Sequence, residues 1–196
     1  MALDDRPAAA DPLHLINELR RERDEALVRE AAIAEVLQVI NASPGDLAPV
    51  FDAMVEKATR LCGAPIGHLL RYENGVFYRT ASIGVPREFD QLLPLGQPLT
   101  EVLSTASYPM RVLASRAVLN VPDTRQDEAY LSGAPAEVAA VEAGIRSALF
   151  VPLLKEGEVV GVFIVMHREV RPCTDKQIAL LQNFAGRRSS RSKMRA

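Results

Sequence analysis

Tryptophan is absent, and only two of the 196 residues are cysteine. Cys62 and Cys173 cannot build a multi-cysteine metal cage or a disulfide-rich scaffold. That scarcity points to a reduced, cytoplasmic protein. Neither sign of charge dominates. Lys plus Arg is 23 and Asp plus Glu is 25, which leaves 23 − 25 = −2. So even a balance argues against a chain built as a whole for nucleic acid or a membrane surface. Long apolar runs are missing too. Ala148–Leu154 and Val159–Met166 are strand-sized, far short of the roughly 20 residues of a membrane-crossing helix. The N-terminus, MALDDRPAAADP, is acidic and lacks the basic-then-apolar order of a signal peptide.

What is present is globular: 48% hydrophobic, 24% charged and a mean hydropathy of +0.02. The length suits one domain with extensions. Residues 1–12 are rich in Ala, Asp and Pro without periodicity and read as a disordered tail. Residues 13–42 hold one long predicted helix, over 13–41, free of Gly and Pro. Ile16, Leu19, Ala26, Ile33, Leu37 and Ile40 share one 3-4 spacing, but Arg23 and Glu30 fall in the same seam. A dimeric coiled coil and a helix lying on its own domain both remain open. Residues 43–185 read as the main domain, and 186–196 as a basic, Ser-rich flexible tail, more in keeping with a solvated tail than with a nucleic-acid contact.

Within the main domain, Ser43-Pro-Gly-Asp46 breaks the first helix. Leu47, Val50, Phe51, Met54, Val55, Ala58 and Leu61 then give an apolar helical face, stopped by Gly63. Ile66–Tyr72 and Val76–Ser82 are predicted strands joined at Asn74-Gly75, a pair that accepts positive φ in a hairpin turn. Short helices are expected at Pro86–Leu93 and within Thr100–Ser115. A short strand follows at Ala117–Val121, a polar loop at Pro122–Pro135 and a helix at Ala136–Ala143. Ser147–Leu154 and Glu158–His167 form a second strand pair around Lys155-Glu-Gly157. Thr174 and Gln177 have capping-box spacing at the start of a last helix. Tight turns between neighbouring strands mean antiparallel pairing, and strand pairs mixed with separate helices indicate an α+β domain.

The sequence holds no phosphate-binding GxxxxGK[ST], no GxGxxG after a strand, no GxSxG and no HExxH, so it offers no catalytic signature, and no enzyme is expected. His68 and His167 sit on the first and last core strands, where they could share a polar spot. Hydrogen-bonded or edge histidines are the commoner case. Cys62 ends an apolar helix and is expected in the core. Cys173 precedes a helix N-terminus, which can lower a thiol pKa; a chance surface position is the plainer reading. Polar groups gather at Pro122-Asp-Thr-Arg-Gln-Asp-Glu-Ala-Tyr130, with Arg146 ahead of the next strand. Asp123, Tyr130 and Arg146, with Arg79 and His68 on the first two strands, are the candidate ligand-binding residues. Arg suits anions, Asp suits amines or hydroxyls, and Tyr suits stacking. The alternative is local: Asp123 caps its loop and Arg146 pairs with a nearby carboxylate.

Several phrases, taken in order, resemble the GAF family of sensory domains. They are Ala34-Glu-Val-Leu-Gln-Val-Ile-Asn-Ala-Ser-Pro-Gly-Asp-Leu47, Leu70-Arg-Tyr-Glu-Asn-Gly75, Val121-Pro-Asp123, Gly144-Ile-Arg-Ser-Ala-Leu-Phe-Val-Pro-Leu153 and Arg171-Pro-Cys-Thr-Asp-Lys-Gln-Ile178. In particular, they look like the GAF domains found upstream of bacterial two-component histidine kinases. The likeness covers residues 30–185 or so. The resemblance implies an antiparallel sheet of five or six strands with helices on both faces. The terminal helices would lie on one face, often as a dimer. A ligand pocket would lie on the other, here under residues 84–146. It names no single ligand or cofactor. The cyclic-nucleotide signature NKFDE and a bilin-attachment motif are not found, and relatives that reduce methionine sulfoxide need more cysteines. No kinase His box or ATP-binding box follows in these residues. The expectation is therefore a non-enzymatic sensory module that binds a small molecule and signals through a dimeric helix to a histidine kinase or another partner. The alternative is a ligand-free dimerisation module, its pocket filled by Leu103, Leu113 and Phe150, or a fragment of a sensor kinase.

Overall fold

The computed structural model describes residues 16–24, 27 and 48–186. Residues 16–24 are helical (α1), as is Leu27, within the span expected for the long helix. The rest of that span, with Ile33, Leu37 and Ile40, lies outside the described residues, as do both chain ends. The main domain runs α2 (Ala48–Cys62), β1 (Ile66–Glu73), β2 (Val76–Ile83), α3 (Arg87–Leu92), α4 (Tyr108–Ser115) and β3 (Leu119–Val121). A 3-10 turn (Thr124–Gln126), α5 (Glu128–Leu131), α6 (Pro135–Glu142), β4 (Ser147–Lys155), β5 (Glu158–His167) and α7 (Asp175–Gly186) complete it.

The five strands form one antiparallel sheet in the order β2-β1-β5-β4-β3. Two hairpins are welded along its middle, where Ile66 faces Met166 and Leu70 faces Val162. Both hairpins close through two-residue turns with φ > 0 at both positions: Asn74-Gly75 (51° and 83°) and Glu156-Gly157 (56° and 88°). That twist matches the right-handed twist of the strands. β3 stops pairing at Phe150, two residues before Pro152, which has no N–H to offer an outer neighbour.

Each face of the sheet carries its own apolar layer. On one face Leu69, Ala81, Leu149, Val151, Phe163 and Val165 meet α2 and α7 through Val50, Met54, Val55, Ala58 and Leu181. Gly67 lets α2 come this close: a Cβ there would sit 2.4 Å from Thr59 Cγ2 and 3.0 Å from Val55 Cγ1. On the other face Ile66, Leu70, Phe77, Phe150, Val162, Ile164 and Met166 pack under α3–α6 through Phe89, Leu99, Tyr108, Val112 and Ala140. Among the described residues no helix is long and apolar enough to cross a membrane.

Two expectations change in detail. Of Thr100–Ser115 only Tyr108–Ser115 is α-helix; Ser107 precedes it, and Pro109 sits in its first turn. The polar stretch Pro122–Pro135 holds two short helical turns, each capped by an acidic side chain. Asp123 accepts from Arg125 N–H and Asp127 from Ala129 N–H. Polar composition hides such turns, because short capped helices need no apolar stripe.

Candidate functional site

The second face of the sheet does not close completely under its roof. A cavity of about 40 Å³ remains between β1, β4, β5 and the irregular helices. Its walls are Leu70, Phe150, Ile164 and Met166 from the sheet, Phe89, Leu93, Leu99 and Leu103 from the roof, with polar entries at His68, Tyr108, Thr124 and Glu137. One water needs roughly 10–15 Å³ measured this way. The cavity as it stands therefore has room for a few waters or a small apolar fragment. Binding pockets for drug-sized ligands run to roughly 300–1,000 Å³, so a larger guest requires the roof to move.

His68 is 1% exposed, and neither ring nitrogen has a hydrogen-bond partner. Phe89 meets its ring edge-on, with centroids 5.7 Å apart. Burial drives its pKa from 6.5 down to about 3; the Arg79 charge lowers it further, and Asp90 opposes. The imidazole is thus neutral, with one donor and one acceptor available. Arg79, on β2 beside it, is 2% exposed. Its Nη2 donates to Asp90 Oδ1 at 2.6 Å, while Nε and Nη1 have no partner. A buried guanidinium with two free donors is suited to an anionic or carbonyl head group. Arg79 does not itself line the cavity, but its charge acts on the His68 ring that does.

The roof is pinned by a carboxylate. Glu137 Oε1 accepts from Tyr108 N–H and Oε2 from Ser107 Oγ, both at 2.9 Å, so α6 caps the N-terminus of α4. Burial pushes the Glu137 carboxyl up, against those two hydrogen bonds. Tyr108 is also buried, and burial with the nearby Asp127 and Glu137 charges pushes its phenol up. Arg111 lies over the Tyr108 ring, 5.7 Å from its centroid, and pairs with Asp127 at 2.8 Å. Glu137 gave little signal in the sequence: it is one acid on an Ala-rich helix, and its partners lie 29 and 30 residues earlier.

Asp123 and Arg146 come together with each other. Arg146 Nη2 donates to Asp123 Oδ2 at 3.0 Å, and this bond with the Arg125 N–H holds the Asp123 carboxyl below its ordinary range. Both stand outside the cavity wall, although Thr124 between them lines it. Tyr130 is half-buried on α5 and also outside the wall. The two strand histidines do not share a spot. His68 lies on the cavity face opposite Ile164, whereas His167 pairs with Ser147 and alternates to the other face. Among the described residues no group of three His, Cys, Asp or Glu side chains could hold a metal ion. Cys62 is buried as expected; Cys173, expected at the surface, is buried with it.

The GAF domain family model matches residues 46–188. Among solved structures, the GAF domain of an Acinetobacter phosphoenolpyruvate-protein phosphotransferase aligns with a TM-score of 0.61 at 16% identity, over 82% of this chain and 90% of that one. The phycoerythrobilin-bound GAF domain of a cyanobacterial phytochrome gives 0.61 at 15% identity, over 82% and 92%. A domain of a Sinorhizobium meliloti protein named as a two-component sensor histidine kinase gives 0.57 at 16% identity, over 73% and 88%. No curated protein sequence matches. A helix-flanked antiparallel sheet is the shared fold, and the chain belongs to the GAF domain family.

Proposed function

We propose that this chain is a non-enzymatic sensory module whose cavity takes a small molecule with an apolar body and one anionic or carbonyl head. The observation that supports this reading most directly is His68: a fully buried ring on the cavity wall with both nitrogens unpartnered. A buried polar group without a partner costs free energy, and a ligand that satisfies it recovers that cost. Arg79 is off the cavity wall, but its unpartnered Nε and Nη1 would serve a hydrogen-bond-accepting head group that reaches them as the roof shifts. Asp123, Arg146 and Tyr130, outside the cavity wall while the roof is in place, are the proposed second tier of contacts once it moves. A guest larger than a few waters must shift α3–α6, and a shift of that roof is the population change a sensor uses.

Output through a homodimer is part of the proposal. Ile16, Leu19 and Leu27 are exposed apolar side chains on the N-terminal helix, and a second copy would cover them. A histidine kinase or another signalling protein would read the change. A second reading, a dimerisation module without a ligand, draws support from the small size and apolar lining of the cavity. Leu103 and Phe150 do line it; Leu113 packs behind.

Native mass spectrometry of the purified chain, with an absorbance spectrum, separates the two. Retained mass that denaturation releases, and that His68→Leu no longer retains, supports the sensor. A dimer with no retained mass, whose melting temperature no added small carboxylate or carbonyl compound raises, overturns the ligand. A monomer overturns output through a dimeric helix.

A further inference from the structure

Cys62 and Cys173 are 111 positions apart in the sequence, yet they meet in the layer between α2 and α7. Cys62 is the last residue of α2, and Cys173 comes two residues before α7. Both are buried in one cluster, close enough for each thiol to influence the ionisation of the other. One bond already ties the two elements at this point, and a second holds the Cys173 backbone to β3. Gln177 Nε2 donates to Cys62 O at 2.9 Å, and Asn120 Nδ2 donates to Cys173 O at 3.1 Å. The Thr174–Gln177 capping box then fixes the first turn of α7.

We propose that Cys62 and Cys173 are a redox pair, converted by hydroperoxide into a reversible disulfide that locks the end of α2 to the start of α7. This is independent of any ligand in the cavity, which lies across the sheet. The roles follow from the surroundings. Cys173 is 7% exposed and Cys62 0%, so a small oxidant reaches Cys173 first. The neighbouring Cys62 thiol and the Arg171 charge lower the Cys173 thiol, against burial; the neighbouring Cys173 thiol and burial raise Cys62. Cys173 is therefore the more readily ionised thiol and Cys62 the protonated reserve.

The chemistry balances with peroxide as the two-electron oxidant. The Cys173 thiolate attacks one peroxide oxygen; the O–O bond breaks, an S–O bond forms, and the other oxygen leaves as hydroxide to become water. The Cys62 sulfur then attacks the Cys173 sulfur. The S–S bond forms, the S–O bond breaks, and the leaving hydroxide takes the Cys62 proton as a second water. Two thiols and one hydroperoxide yield one disulfide and two waters when the oxidant is hydrogen peroxide.

The test uses the unmodified full chain. It is reduced, freed of reductant, treated with hydrogen peroxide, unfolded and exposed to a maleimide. The expected result is a loss of two hydrogens in intact mass and loss of both maleimide labels. Peptide mapping should give a Cys62–Cys173 link within one chain, and dithiothreitol should restore both thiols. In Cys62→Ser, Cys173 should stop at the sulfenic acid, which dimedone traps. Two thiols still free after peroxide, oxidation to sulfinic acid without a link, or a link between two chains each overturns the proposal.

Discussion

Replacing His68 by leucine should flatten the acid side of the stability curve. The folded chain keeps this ring neutral down to about pH 3, while the unfolded chain takes the proton at the ordinary value of 6.5. Between those values the unfolded state binds more protons, so folding stability falls as pH falls. Each pH unit in the window costs about 1.4 kcal/mol from this one group. From neutral pH to about pH 5 the wild-type chain should lose about 2 kcal/mol that His68→Leu does not. At neutral pH the variant should be within about 1 kcal/mol of wild type, because leucine removes two unpartnered nitrogens along with the ring packing on Phe89. The assay is urea unfolding of both chains at the two pH values. Glu137 is pushed up by burial and titrates with the opposite sign, so only the wild-type-minus-variant difference isolates His68. A proton NMR titration checks it directly, since the chain has only three histidines. Parallel curves for the two chains, or a His68 resonance that titrates near its ordinary value, would refute the reasoning.

Gly67→Ala should destabilise by about 1–3 kcal/mol through the clash with Thr59 Cγ2, and Thr59→Ser, which keeps the hydroxyl bonded to Val55 O and Glu56 O, should recover part of it in the double mutant; purely additive effects in urea unfolding would refute the close approach. Gly161→Ala puts a Cβ 2.5 Å from the Leu70 carbonyl, a backbone atom that cannot yield, so no single side-chain truncation should rescue it. Glu137→Ala leaves the Tyr108 N–H unpaired and takes the carboxylate acceptor from the Ser107 hydroxyl, which keeps only its contacts with Ser104; it should cost about 1–3 kcal/mol, with faster amide exchange in the first turn of α4.

The parts of the fold written in local chemistry were legible in the sequence. Asn74-Gly75 and Glu156-Gly157 carry the positive φ that two-residue turns demand, so both hairpins could be placed without their surroundings. The Thr174–Gln177 capping box was equally local. The site was legible only as residue types. Arg79 stood out only as a strand arginine suited to anions; its burial follows from a sheet face that α3 covers, which no neighbouring residue encodes. Glu137 is assigned by its contact with a helix that starts 29 residues earlier. Cys62 and Cys173 meet only because α2 and α7 lie on the same face. Pairing of β1 with β5 decides all of these, and nothing within either strand announces it.

That central seam also sets a schedule for making the protein. Ile66 cannot find Met166 until about a hundred further residues have left the ribosome, which takes roughly 5–20 s at ordinary elongation rates. Through that interval the β1–β2 hairpin exists with the inner edge of β1 bare, an apolar strand able to pair with a neighbouring nascent chain. The β4–β5 hairpin, by contrast, meets its partner as soon as it forms. Crowded polysomes and fast overexpression should therefore burden the first hairpin, and chains cut between Ser115 and Ser147 should aggregate where the full chain does not.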